Sequence, residues 1–154
     1  MGRNSFNRKL KLKEQRTYLE GIANTITEYV KSFGIHVLRY DAITTESIYL
    51  KFDYGMSGSL RISAHNGKKD LRYTFNILKD LESPYIEKNI ASNGSDISMY
   101  FYPDYLYKNV AIDIVRYKDY RMQKYGNRKY IECCNDKQKM LGKGNKFWAK
   151  CREV

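Results

Sequence analysis

The residues best placed to do chemistry lie in the stretch "LRISAHNGKKDLRYTF", residues 60–75, which sets Arg61, Ser63 and His65 two positions apart. A serine near a histidine raises nucleophilic catalysis, and an arginine beside both raises anion binding. Catalysis is poorly served. A nucleophile needs its base within about 2.6–3.2 Å, a third group to orient that base, and an oxyanion hole. Side chains at i and i+2 of a strand start about 7 Å apart. No G-x-S-x-G elbow or glycine-rich loop surrounds Ser63. Asp41, Glu46 and Asp53 are scattered rather than grouped, as metal-dependent nuclease chemistry would need. His36 and His65 lie far in sequence from Cys133, Cys134 and Cys151, and no CxxC spacing exists. The expectation is therefore no enzyme activity, no metal and no cofactor, with three reduced thiols and no disulfide framework. Arg, Ser, His and Asn are nevertheless donors that engage phosphates or acidic side chains. The same residues could equally be a hairpin in which His65 and Asn66 only shape a turn.

The elements that must position these residues are legible as alternation. In "SIYLKFDY" Ile48, Leu50, Phe52 and Tyr54 alternate with Tyr49, Lys51 and Asp53. In "SLRISAH" Leu60, Ile62 and Ala64 alternate with Arg61, Ser63 and His65. In "LRYTFNI" Leu71, Tyr73, Phe75 and Ile77 alternate with Arg72, Thr74 and Asn76. Period two means one buried and one wet face, as in an antiparallel sheet covered on one side. Arg61, Ser63 and His65 then belong to the wet face, with Lys51, Arg72, Thr74 and Asn76. "YGMSG" and "HNGKKD" supply the turns, and a short strand is possible in "IHVLRY" at 35–40.

Helical periodicity runs from about Glu14 to Phe33, where Tyr18, Ile22, Ile26, Tyr29 and Phe33 would share one face, and Gly34 is a natural stop. A further strand is expected in "ISMYFY". Pro103 and Asp104 suit a helix start, Leu106, Val110, Ile114 and Tyr117 keep helical spacing, and Gly126 would end that helix. "VAIDIV" at 110–115 also alternates, so a strand is the competing reading there. The last segment offers a short helix before Gly142 and a short strand around Phe147 and Trp148. The expected fold is α+β: an antiparallel sheet of about four strands, one face covered by an N-terminal and a C-terminal helix. Residues 1–13 read as a flexible basic arm. Residues 14–154 read as a single domain with a basic, Tyr-rich C-terminal segment.

Charge gives the strongest signal about partners. The net charge is +11, from 28 Lys and Arg against 17 Asp and Glu. It is segregated: residues 1–17 hold six basic side chains and one acid, and residues 116–154 hold twelve basic and four acidic. Two basic ends on a near-neutral body point to a polyanionic partner. Eight of the 15 tyrosines fall between Tyr100 and Tyr130, interleaved with Lys and Arg, a mixture common to nucleic-acid grooves and protein interfaces. No apolar run approaches the roughly 18 residues of a membrane span, and "MGRNSFNRKL" lacks the apolar core of a signal peptide, so a cytoplasmic protein is expected.

Two motifs add a resemblance. Ser5-Phe6-Asn7-Arg8 in a basic segment, followed by an amphipathic helix and a strand carrying Arg61-Ile62-Ser63-x-His65, resembles small phage-encoded anti-CRISPR proteins, the broad-spectrum inhibitors of the type II CRISPR effector nuclease. It covers roughly the first half of the chain; the Tyr-rich second half has no counterpart in it. The resemblance implies an inhibitor that binds the effector nuclease, alone or with its guide RNA, in the cytoplasm of the host cell. Inhibitors that mimic DNA must be acidic, because they fill a positively charged channel. A protein of charge +11 would instead meet a carboxylate-rich nuclease domain, or the phosphates of RNA or DNA in the assembly. A nucleic-acid-binding accessory protein of a phage or mobile element is the competing reading. The residues expected to contact the partner are Arg8, Lys51, Arg61, Ser63, His65, Asn66, Arg72, Tyr117, Arg121 and Lys124.

Overall fold

The computed structural model describes residues 2–42, 46–64, 69–76, 89–90, 96–141 and 150–154, with side chains omitted for 2–8, 76, 89–90 and 96–98. The fold is α+β. Helix α1, Gly2–Lys31, leads into strands β1, Val37–Ala42; β2, Ser47–Phe52; β3, Ser59–Ser63; and β4, Asp70–Asn76. Then come β5, Asn89–Ile90; β6, Asp96–Pro103; helices α2, Tyr107–Tyr125, and α3, Asn127–Lys139; and β7, Arg152–Glu153. The strands form one seven-stranded sheet in the order β5-β6-β4-β3-β2-β1-β7, more than the four or so expected from alternation. Every pairing is antiparallel.

The apolar phase of the alternation is inside where it is described. β2 ends at Phe52, however, so Asp53, expected on the wet phase, is buried in the following turn, and His65 and Ile77 lie outside the described residues. Ile48, Leu50, Phe52, Leu60, Ile62, Leu71, Tyr73 and Phe75 are buried on the sheet's inner face, in one core with α1 and α2. The helix over 107–125 wins over the competing strand, because Val110, Ala111, Ile114, Val115 and Tyr117 make a buried stripe at helical spacing. Gly126 ends it, and its N–H donates to the Met122 carbonyl at 2.8 Å. The short helix expected before Gly142 is α3. The strand expected around Phe147 and Trp148 lies outside the described residues.

Two expectations about α1 are corrected. The segment read as an arm is helical from Gly2, since 3–20 contains neither Gly nor Pro and is rich in Lys, Leu, Glu, Gln and Arg, which propagate a helix. The buried stripe is Leu19, Ile22, Ala23, Ile26 and Val30, whereas Tyr18, Tyr29 and Phe33 are exposed. Small and aliphatic side chains let the helix lie close to the sheet, and the rings stand at its rim. There the Tyr18 hydroxyl donates to Asp104, which helps push its pKa up to about 12 and ties α1 to the entry of α2.

The β2–β3 connection is a buried turn with little freedom. Asp53 and Tyr54 take positive φ of 48° and 58°. Asp53 is fully enclosed, accepting from the His36 backbone N–H at 2.9 Å and from the Tyr130 hydroxyl of α3. Lys118 of α2 completes the set, its Nζ 3.0 Å from the same carboxylate. Ser57 Oγ lies 2.5 Å from the Tyr130 hydroxyl, and Tyr73 donates to the Ser57 carbonyl. Gly58 closes the turn at φ +88°, where a Cβ would meet the Thr74 carbonyl at 2.7 Å and the Tyr73 ring at 2.8 Å. Gly34 has a similar φ of +78° but open space around it. In urea unfolding, Gly58→Ala should therefore cost about 3 kcal/mol, strain plus overlap, against about 1 kcal/mol for Gly34→Ala. Equal losses would show that the tight approach at Gly58 has no energetic weight.

Candidate anion-binding face

Register decides which side chains share the outer face, away from α1 and α2. Tyr40 is paired with Tyr49, Tyr49 with Arg61, Arg61 with Arg72, and Arg72 with Phe101. Directly opposed residues point to the same side of a sheet, so these five form one row across it. A neighbouring row runs Lys51, Ser59, Thr74, Met99. Between the rows lies a concavity of roughly 270 Å³ lined by Tyr49, Ser59, Arg61, Arg72, Thr74 and Met99. Lys51, Arg61 and Arg72 are thus brought to one face as expected.

Like charges meet in this row, with one carboxylate near them. Two guanidinium groups occupy opposed positions, where like charges repel. Asp70 approaches Arg61 only to 3.8 Å. Among the described residues, the buried Nε–H groups of both Arg61 and Arg72 have no hydrogen-bond acceptor, a loss of about 1–3 kcal/mol for a buried donor. Burial, and then the neighbouring Arg61, weaken the hold of Arg72 on its proton. Aromatic rings frame the pair. Tyr40 and Tyr49 lie with centroids 6.4 Å apart on one side, and Phe101 is 58% exposed on the other.

Other expected contact residues are placed elsewhere. Ser63 is on the outer face by register but only 2% exposed, with its Oγ 3.2 Å from that of Ser47; alternation gives a side chain its direction and does not say what shields it. Tyr117 is buried in the core against Tyr73 and Phe75, and burial pushes its pKa up. Arg121 is 7% exposed and donates to the Met56 carbonyl at 2.6 Å, pinning α2 to the β2–β3 turn. Both continue the stripe Val110, Ile114, Tyr117, Arg121, whose four- and three-residue spacing was already legible. Lys124 is exposed at the end of α2, away from these contacts. His65, Asn66 and the side chain of Arg8 lie outside the described residues. Sequence reading did not single out Phe101 or Tyr49 as contact residues. Tyr49 sits on the wet phase of β2, whereas Phe101 shares its phase with Ile97 and Met99, so only the pairing of β6 with β4 brings it beside Arg72.

A second buried cluster sits at the other end of the outer face, where Leu38 meets Tyr54, Met56, Tyr130 and Cys134. The three cysteines are free thiols, and burial, then Asp53, push Cys134 up to about 11. Among the described residues no group of three or more His, Cys, Asp or Glu is placed to hold a metal ion, and no helix is long and apolar enough to cross a membrane. No protein-family model, curated protein or solved structure matches the chain.

If the arginine pair is kept for a ligand and not for the fold, Arg72→Gln should not destabilise the free protein. We expect a gain of about 0.5 kcal/mol in urea unfolding at low salt, shrinking as salt screens the repulsion. A loss of more than about 1 kcal/mol would make Arg72 a structural residue.

Proposed function

We propose that this protein acts by binding and not by catalysis: it docks through the outer face of its sheet on a type II CRISPR effector nuclease and blocks DNA cleavage stoichiometrically. The observation that carries the reading is the opposed Arg61–Arg72 pair, two cations side by side on the face that α1 and α2 leave uncovered, whose buried Nε–H groups have no acceptor among the described residues. Such a pair fits an anionic surface on a partner better than it fits the free chain. The motifs Ser5-Phe6-Asn7-Arg8 and Arg61-Ile62-Ser63-x-His65 supply the choice of partner. The site of action in this reading is the cytoplasm of the host cell, and the contact on the effector includes a domain that cuts DNA. The exposed Phe101 beside Arg72 favours a second reading, a nucleic-acid-binding accessory protein, because rings next to cations suit bases next to phosphates.

The test is a cleavage assay with purified, guide-loaded type II effectors titrated with this protein, alongside co-elution on gel filtration. Cleavage should stop at stoichiometric amounts, and Arg61→Glu with Arg72→Glu should raise the amount needed about ten-fold or more. Full cleavage by every effector tried at large molar excess, with no co-elution, would overturn the proposal.

A further inference from the structure

We infer that the concavity between Arg61 and Arg72 holds a phosphodiester of single-stranded nucleic acid, with a base laid against Phe101. The inference rests on reading the outer face as the binding surface and names its occupant. Neighbouring strands lie about 4.8 Å apart, so the row from Tyr49 to Phe101 spans about 14 Å. At its centre are two guanidinium groups on directly opposed residues. A phosphodiester offers two non-bridging oxygens and one negative charge, which lets each guanidinium engage one oxygen while the anion relieves their mutual repulsion. Among the described residues the inner Nε–H of each has no acceptor to give up, and the one ion pair Arg61 makes there is the long 3.8 Å contact with Asp70.

The flanks favour nucleic acid over an acidic protein segment. A carboxylate would satisfy the charges and leave Phe101 bare, although it is 58% exposed directly beside Arg72. A base has an apolar face for that ring, and stacking of this kind tolerates any sequence. Ser59 and Thr74 line the same concavity and place hydroxyls beside the cations, where sugar and phosphate oxygens would lie. A duplex fits badly, because its bases stay stacked on each other and present no face to a ring. The charge of +11 supplies long-range attraction for any strand, and the row supplies the place where it is held.

The experiment is fluorescence anisotropy of a short labelled mixed-sequence RNA single strand, titrated with the full chain across a salt series. The variants are Arg61→Gln/Arg72→Gln, Phe101→Ala, and Arg128→Gln/Lys129→Gln as an equal loss of charge from the exposed face of α3. The first should make the slope of log affinity against log salt shallower by about 1.4, two contacts at about 0.7 each. Phe101→Ala should weaken binding about ten-fold, leaving the slope unchanged. The α3 pair should change affinity less than the first variant, and a duplex should be indifferent to Phe101→Ala. Thermal unfolding of each variant guards against misfolding. An unchanged slope in folded Arg61→Gln/Arg72→Gln, or equal losses in the two charge variants, would overturn the inference. Effector inhibition that needs the arginine pair, from a wild-type chain with no affinity for single strands, would also overturn it and make the occupant a protein. Pair- and ring-dependent RNA binding with no effect on any effector would uphold it and remove the nuclease reading instead.

Discussion

Asp53 is the point on which the architecture turns. It sits fully buried at a left-handed backbone position between β2 and β3, and its carboxylate gathers the His36 amide, the Tyr130 hydroxyl and the Lys118 ammonium. Those partners come from the start of β1, from α3 and from α2. A buried carboxylate loses several kcal/mol when left uncompensated, so the three elements are held to it together. The turn in turn sets the register of β2 on β3. Because side chains alternate with a period of two, a slip of one residue would carry Arg61 to the helix side and Leu60 and Ile62 to the outside. The core and the candidate site are two consequences of one register.

That register separates a packed inner face from an outer face on which two cations meet. The inner face is a continuous core in which even the tyrosines are provided for: Tyr73 donates to the Ser57 carbonyl and Tyr102 to Asp113 at 2.7 Å. On the outer face two cations oppose each other, and among the described residues their Nε–H groups lack acceptors. The cost is local and is borne by a fold secured elsewhere, through Asp53 and through Arg39, which bonds Asn24 at 3.0 Å and Asp41 at 2.8 Å under α1. A site that is poorly satisfied alone gains most from an anion.

Much of this arrangement was legible in the chain. Alternation placed β2, β3 and β4 with their correct faces, and Pro103, Asp104 and Gly126 bracketed α2. The α1 stripe was misplaced by a rotation because two stripes compete in that segment; aromatic size favoured Tyr18, Tyr29 and Phe33, while closeness to the sheet favoured Leu19, Ala23 and Val30. Ser63 was expected at a surface from strand alternation and Arg121 as a contact residue, yet a polar group with a partner in reach can be buried: the Ser47 hydroxyl for one, the Met56 carbonyl for the other. The pairing of β4 with β6 and of β1 with β7 joins distant segments, which local pattern cannot encode. The opposition of Arg61 and Arg72 was hidden for the same reason. Each arginine was visible on the wet face, but only register makes them neighbours.

The most direct test watches the two guanidinium groups themselves. In ¹⁵N-labelled protein, the Nε–H signals of Arg61 and Arg72, assigned by loss in Arg61→Gln and Arg72→Gln, can be followed as a guide-loaded effector or a single strand is added. Both signals should shift as the guanidinium forks engage an anion, ahead of any other arginine. Binding that moves other signals while these two stay where they are would place the contact elsewhere and contradict the account.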